Sequence, residues 1–272
     1  SLSLSSTIID DLNNIGIGAP VITSRSGVEI NADIYIVDMA GHSAAQIQTY
    51  KDAGKTVMCY FSAGTTTASG SDASEFGAEC ICEAGGTLDA NNECVGGPGN
   101  TKLGTWGVYW LDIHSETCKA KVHAVQAQRI KKAKAKGCDG MDPDNVDSYA
   151  YNSPHGSTEA DQIEYLLWIA QTVHAEGMLV VLKNSPALIG GASGPALVDA
   201  FDLSVNESCR VFNECYYYDP FLAAGKPMLM IEYSSSIKSC PADLKPGQTL
   251  AVYSGKVVGS EDVTLYCPSK AA

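Results

Sequence analysis

"KGCDGMDPDNVDSY", residues Lys136 to Tyr149, is the stretch on which the architecture turns. A long helical pattern, "ETCKAKVHAVQAQRIKKAKAKG", runs into it and stops at Gly137, a helix-ending glycine. A short strand, "CDGMD", follows and opens into a carboxylate cluster: Asp139, Asp142, Asp144 and Asp147, with Asn145 among them. A second helical pattern begins beyond it, "STEADQIEYLLWIAQTVHAEG", with Thr158 and Asp161 at capping-box spacing and Gly177 as the stop. Helix, strand, polar loop and helix make the repeating unit of a parallel α/β sheet.

The unit recurs on both sides. "DIYIVD" (Asp33–Asp38) reads as a buried strand, and helical "SAAQIQTYKDAG" follows it to Gly54. "KTVMCYF" (Lys55–Phe61), "YWLDI" (Tyr109–Ile113), "MLVVLKN" (Met178–Asn184), "FDLSV" (Phe201–Val205), "KPMLMIEY" (Lys226–Tyr233) and "TLAVYSG" (Thr249–Gly255) are further strands. Their apolar runs are continuous, which is the pattern of strands buried on both faces. With "CDGMD" they make eight candidates in 272 residues. The expectation is an α/β fold, a single (β/α)8 TIM barrel over residues 1–272 forming one catalytic domain. Neither GxGxxG nor GxxxxGK[ST] follows a strand, so nucleotide binding has no motif behind it. Residues 69–104, rich in Gly, Asn and Cys, break the rhythm and are expected to form an inserted loop stapled by disulfides.

A closed barrel leaves no strand edge unpaired, yet "DIYIVD" opens the series. Val21–Thr23 and Thr249–Ser254 are the candidates to pair with its open side. The second has the stronger β pattern and is favoured, which makes Ser1–Asn14 dispensable.

Ten cysteines without paired CxxC spacing predict five disulfides in a secreted protein rather than a zinc site. Cys209–Cys215 and Cys240–Cys267 are expected as local pairs, and the insert cysteines should pair among themselves or with nearby loops. The N-terminal "SLSLSSTIIDDLNN" lacks the basic start and apolar core of a signal peptide and reads as the start of a mature chain. No apolar run is long enough to span a membrane. A net charge of −13 argues against a nucleic-acid partner and against an anionic membrane surface; it suits a cationic partner, though solubility alone also accounts for it.

Almost every predicted strand ends in polar residues. These are Asp38; Tyr60 and Ser62; Asp112; Asp142, Asp144, Asn145 and Asp147; Lys183 and Asn184; Asn206 and Glu207; Glu232 and Tyr233. In a barrel such ends converge on one face. Two carboxylates across that face are the equipment of glycoside hydrolysis, and Glu207 stands opposite the aspartate cluster. Asp139 and Asp147 are equally readable as turn-capping residues. Aromatics near the rim (Trp110, Tyr149, Tyr151, Tyr216, Tyr217, Tyr218) have the shape to stack on sugars, though packing is the commoner role. "DPDNVD" fails as a calcium loop, with Val146 at its fifth position and Ser153 where a glutamate should close it. No GxSxG is present, and the five histidines are scattered without metal-site spacing. No metal or cofactor is expected.

Taken together, "VMCYFSAGT", "YWLDI", "KGCDGMDPDNVDSY", "LVVLKN", "FDLSVNESC" and "GKPMLMIEY", in this order from about Asp33 to Tyr233, resemble glycoside hydrolase family 114. The resemblance implies a (β/α)8 barrel with endo-α-1,4-polygalactosaminidase activity on galactosaminogalactan, a fungal exopolysaccharide. It implies Asp144 of the PDN motif and Glu207 of the NE motif as the two catalytic carboxylates, the first the nucleophile and the second the acid/base if the reaction is retaining, a choice that the carboxylate separation decides. The remaining strand-end residues would bind substrate: Asp38, Tyr60, Ser62, Asp112, Asp142, Asn145, Asp147, Lys183, Asn184, Glu232 and Tyr233. The partner would be a cationic amino-sugar polysaccharide, met by a monomer. The chain departs from the family in lacking an aromatic first strand of the form WxxQL; no tryptophan precedes Trp106. A non-catalytic carbohydrate-binding barrel and a metal-dependent phosphoesterase are the competing readings. The one usable sequon, Asn206-Glu207-Ser208, should carry no glycan, because it would block the cleft.

Overall fold

Nine strands hydrogen-bond into one curled sheet in the computed structural model, and their order across the sheet is their order in the chain. The structure describes residues 2–12, 19–67, 71–82, 85–91, 93–96, 102–104, 106–151 and 155–270. The strands are β1 (Ile8–Asp11), β2 (Ile34–Asp38), β3 (Thr56–Ser62), β4 (Gly140–Asp144), β5 (Leu179–Lys183), β6 (Leu203–Glu207), β7 (Met228–Glu232), β8 (Gln248–Tyr253) and β9 (Val263–Cys267). The first eight run parallel, and β9 pairs antiparallel with β8. Strands β7 and β8 are buried at every position, as continuous apolar runs require in a sheet covered on both faces.

Helices fill most of the crossovers: α1 (Ala44–Asp52), α2 (Glu116–Lys136), α3 (Glu159–Ala175), α4 (Gly194–Ala200) and α5 (Asp219–Ala223). Ser43 with Gln46 and Thr158 with Asp161 form capping boxes at the starts of α1 and α3. Gly137 closes α2 at φ 97°, a conformation that favours glycine. Asp139, which follows it, pairs with Lys51 at 3.0 Å and accepts from Val57 N, a structural role.

The sheet departs from eight repeated β/α units in three places. "YWLDI" is not one of its strands: β3 pairs directly with β4, from Met58 opposite Gly140 to Ser62 opposite Asp144, which leaves no room between them. Val108–Trp110 instead joins a small antiparallel sheet with Thr65–Thr67 and Lys102–Leu103. The partner of "DIYIVD" is neither candidate segment but β1, with Ile8 opposite Ile34 and Asp11 opposite Val37. Thr249–Tyr253 does lie in the sheet, beside β7, whereas Ile22–Thr23 forms a separate hairpin with Glu29–Ile30. Finally, no helix stands between β1 and β2 or between β7 and β8 among the described residues.

No ladder joins β1 to β8 or β9 among the described residues. The two ends of the sheet meet instead through single hydrogen bonds: Tyr253 OH to Asp10 O at 2.6 Å, Leu12 N to Val258 O at 2.9 Å and Tyr266 OH to Ile8 O at 3.3 Å.

All ten cysteines are paired. Cys209–Cys215 and Cys240–Cys267 are as expected from their spacing. Within the insert Cys82 bonds Cys94, and Cys80 bonds Cys118 in the first turn of α2. Cys59–Cys138 ties β3 to the approach of β4. Residues 69–70, 83–84, 92 and 97–101 of the insert lie outside the described residues. Its described part is anchored to α2, where Arg129 grips Asp72 through two 2.7 Å bonds. Among the described residues no helix is long and apolar enough to cross a membrane.

Candidate active site

The C-terminal ends of β3 to β7 open into a cleft of about 770 Å³. Three of these strands end in the same way: a functional side chain, then a residue forced into the left-handed region. Asp144 is followed by Asn145 at φ 57°, Lys183 by Asn184 and Ser185 at φ 50° and 62°, and Glu207 by Ser208 at φ 67°. Such backbone is uncommon for residues with a side chain and turns the chain sharply away at each strand end. Asparagine tolerates it best after glycine, which is why Asn holds two of these places.

Asp144 is held from two sides. Its carbonyl accepts from Ala63 N at 2.9 Å and Gly64 N at 3.2 Å, and its Oδ2 accepts from Tyr60 OH at 3.0 Å. Gly64 must be glycine, since a Cβ there would stand 1.6 Å from Asn145 O. Asn145 Nδ2 donates to Ser62 Oγ at 2.9 Å and Thr65 Oγ1 at 3.2 Å, which locks the loop after β4 onto the end of β3.

Glu207 is bound through both oxygens. Tyr233 OH donates to Oε1 at 2.5 Å and Asn184 Nδ2 donates to Oε2 at 3.0 Å. Asn184 also accepts from Glu207 N at 2.8 Å, so one side chain fixes the backbone and the carboxylate together. Asn206 points the other way. It is 1% exposed and donates to Tyr218 OH, whose own proton goes to Asn184 O at 3.0 Å. A glycan has no access to it.

Lys183 lies beneath the pair, buried, with Nζ 3.0 Å from Asp142 Oδ2, 3.8 Å from Asp10 Oδ2 and 5.5 Å from the Tyr60 ring centre. Burial pulls its ammonium down, but Asp142, Asp144, Asp10 and Glu207 outweigh that and leave it well above the ordinary lysine value. Burial pushes the Asp142 carboxyl up against the opposing pull of Lys183. Asp147, on the cleft wall, is pushed up to about 6, first by burial and then by the charges of Asp144 and Glu207. Burial also raises the Tyr60 and Tyr233 phenols, with Asp144 and Glu207 adding to it, so both stay hydrogen-bond donors.

Of the residues singled out in the sequence, the cleft gathers Tyr60, Ser62, Asp144, Asn145, Asp147, Lys183, Asn184, Glu207 and Tyr233. Four expected substrate contacts are not on its lining. Asp38 accepts from Gly41 N and shapes the loop into α1. Asp112 caps the approach to α2, taking His114 N at 2.8 Å, Ser115 N at 2.9 Å and Ser115 Oγ at 2.6 Å. Glu232 is fully buried and takes Arg210 N at 2.7 Å. Asp142 is fully buried under Lys183. In each case the carboxylate is consumed by loop backbone or by an internal ion pair. The cleft adds residues that the sequence did not single out: Asp10 from β1, Thr65, Trp106 and Lys256. Trp110 and Tyr151 line it as a ring pair with centres 5.5 Å apart. Tyr216 and Tyr217 stack on each other instead and are not part of the lining. Among the described residues no three His, Cys, Asp or Glu side chains are grouped as metal ligands would be.

Two carboxylates, each oriented by a tyrosine and flanked by aromatic rings, can protonate a leaving oxygen and attack or activate at an anomeric carbon. The family model described as Glycoside-hydrolase family GH114 matches residues 18–269. The crystal structure of Aspergillus fumigatus Ega3 in complex with galactosamine is similar, with a TM-score of 0.73 and 27% identity over 97% of this chain and 96% of that one. The glycoside hydrolase domain of PelA from Pseudomonas aeruginosa shares the fold at 14% identity, with a TM-score of 0.61 over 97% of this chain and 98% of that one. Among curated proteins none matches the chain.

Proposed function

From the premise that the chain belongs to glycoside hydrolase family GH114, we propose that it is a secreted endo-acting hydrolase of α-1,4-galactosaminidic bonds in galactosaminogalactan-type polysaccharide. On this reading the curled sheet is a variant (β/α)8 barrel whose seam lies between β1 and the β8–β9 end of the sheet. The observation that carries the proposal is the placement of Asp144 and Glu207 on one cleft, each pinned by a tyrosine hydroxyl. The galactosamine bound by Ega3 supports the sugar class. The carboxylates of the cleft support a cationic one. Five disulfides fit an oxidising, extracellular setting.

Asp144 is the nucleophile and Glu207 the acid/base. Glu207 gives its proton to the glycosidic oxygen as Asp144 attacks the anomeric carbon; it then takes a proton from the water that releases the sugar from Asp144. Tyr60 holds Asp144 in position throughout, and Asn184 with Tyr233 keeps the Glu207 oxygens fixed as its charge changes. Tyr151, exposed and backed by the buried Trp110 ring, offers a stacking face for a sugar unit.

The test is incubation with partly deacetylated galactosaminogalactan, followed by mass spectrometry of the products. Oligosaccharides of several lengths support endo cleavage. Monosaccharide alone, or an intact polymer, refutes it. Binding without cleavage would favour the non-catalytic carbohydrate-binding reading.

A further inference from the structure

Asp10 lies on the floor of the cleft, fully buried, and neither oxygen of its carboxyl has a hydrogen-bond partner. Its nearest cation is Lys183 at 3.8 Å, and that ammonium makes its closer contact, 3.0 Å, with Asp142. A buried polar group left without a partner is costly, and its survival needs an explanation. Asp10 is nonetheless among the residues that line the cleft, so a ligand group seated there can complete it after a small shift of the side chains that cover it.

The groups facing Asp10 decide what that ligand group is. Lys183 approaches from β5, Asp142 and Asp144 from β4, Glu207 from β6, and the Tyr233 and Tyr253 phenols from beyond β7 and from β8. Four carboxylates thus share one buried ammonium, and Asp142 already holds it. The other lysine of the lining, Lys256, is exposed at the rim. A sugar hydroxyl would give Asp10 a hydrogen bond but leave the excess negative charge. An ammonium group would supply both the donor and the missing charge. An N-acetyl group would supply a single neutral N–H and add bulk.

We propose that Asp10 is a specificity-determining residue that receives the free amino group of a hexosamine unit seated beside Asp144 and Glu207. This rests on the hydrolase reading above. Burial drives the Asp10 carboxyl well up, with Lys183 pulling against it and the other carboxylates adding to it. An arriving ammonium takes the place of the missing countercharge.

The experiment compares the wild type with Asp10→Asn, using the polymer in partly deacetylated and in fully N-acetylated form. The wild type should prefer the deacetylated polymer in kcat/KM. Asp10→Asn should cut that preference roughly tenfold or more, the scale of one charge-assisted hydrogen bond, mainly through KM on the deacetylated polymer. An unchanged preference overturns the proposal while leaving the hydrolase reading intact. If the wild type cleaves neither polymer the hydrolase reading fails, and sugar binding decides the role of Asp10. That binding needs only the wild-type protein: galactosamine should raise its melting temperature more than galactose does, and equal stabilisation overturns the inference even if Asp10→Asn does not fold.

Discussion

Tyr233 places its hydroxyl 2.5 Å from Glu207 Oε1 across the end of the sheet. Tyr60 does the same for Asp144 at 3.0 Å, from a strand beside it. Each carboxylate is thus oriented by a phenol that burial keeps protonated. Removing either hydroxyl leaves a carboxyl oxygen without its donor and loosens its aim. Tyr233→Phe and Tyr60→Phe should each lower kcat about 10–100-fold, the value of one hydrogen bond to a charged group. KM should change little, because the rings remain. Steady-state kinetics on the polymer checks this; a change confined to KM would make the tyrosines substrate contacts instead.

Asp144→Asn and Glu207→Gln should each lower hydrolysis by at least about 10²–10⁴-fold. Both substitutions are isosteric, and both residues are only partly buried, so melting temperatures should stay near that of the wild type. Turnover within a few-fold of wild type in either variant would remove that residue from the chemistry.

Much of this site is legible in the sequence because three strand ends announce themselves. Asp144-Asn145, Lys183-Asn184 and Glu207-Ser208 each join an apolar run to a residue type that accepts a sharp turn. The same rule over-reads at Asp38, Asp112 and Glu232. A carboxylate at a strand end serves equally well to cap the next loop, and sequence carries no sign of which backbone N–H will claim it. Asp10 escaped for the opposite reason. Its strand has four residues, two of them acidic, and sits in a polar N-terminal stretch that resembles a solvated tail. Tyr109-Trp110 reads as a barrel strand by composition, and only the direct pairing of β3 with β4 shows that the sheet has no place for it.

Asp147 gives a pH signature to stability. Its carboxyl is pushed from 3.8 up to about 6 by burial and by Asp144 and Glu207. Between these values the folded protein holds a proton that the unfolded chain has released, so stability falls as pH rises. Asp147 thus favours folding most below about pH 4, and that contribution is lost as pH passes through about 6. Asp147→Asn does not titrate, so it should gain on the wild type by on the order of 2 kcal/mol between about pH 4 and pH 7. Urea unfolding across this range measures the difference. A gap that is constant with pH, or that closes as pH rises, would contradict the burial argument.

Strand β1 lies in the stretch that the sequence pattern alone marks as dispensable. Ile8 and Ile9 are fully buried, and β1 pairs with β2 along all four of its residues. Burying two isoleucines is worth about 3–6 kcal/mol, a large share of the roughly 5–15 kcal/mol that holds a domain folded. Deleting residues 1–11 also bares the edge of β2, whose inner positions are buried, and unpaired strand edges invite aggregation. It cuts the bridges from Tyr253 to Asp10 and from Tyr266 to Ile8, through which the two ends of the sheet meet. The deletion should therefore yield insoluble protein or one without a cooperative melt. Ile9→Ser is a milder probe: losing one buried side chain of about 2–3 kcal/mol should lower the melting temperature by roughly 5–10 °C without changing the sheet order. Soluble, cooperatively folding protein after deletion of residues 1–11 would mean that β1 only covers an edge. The two chain ends would then be no part of what holds the cleft floor, and with it Asp10, in place.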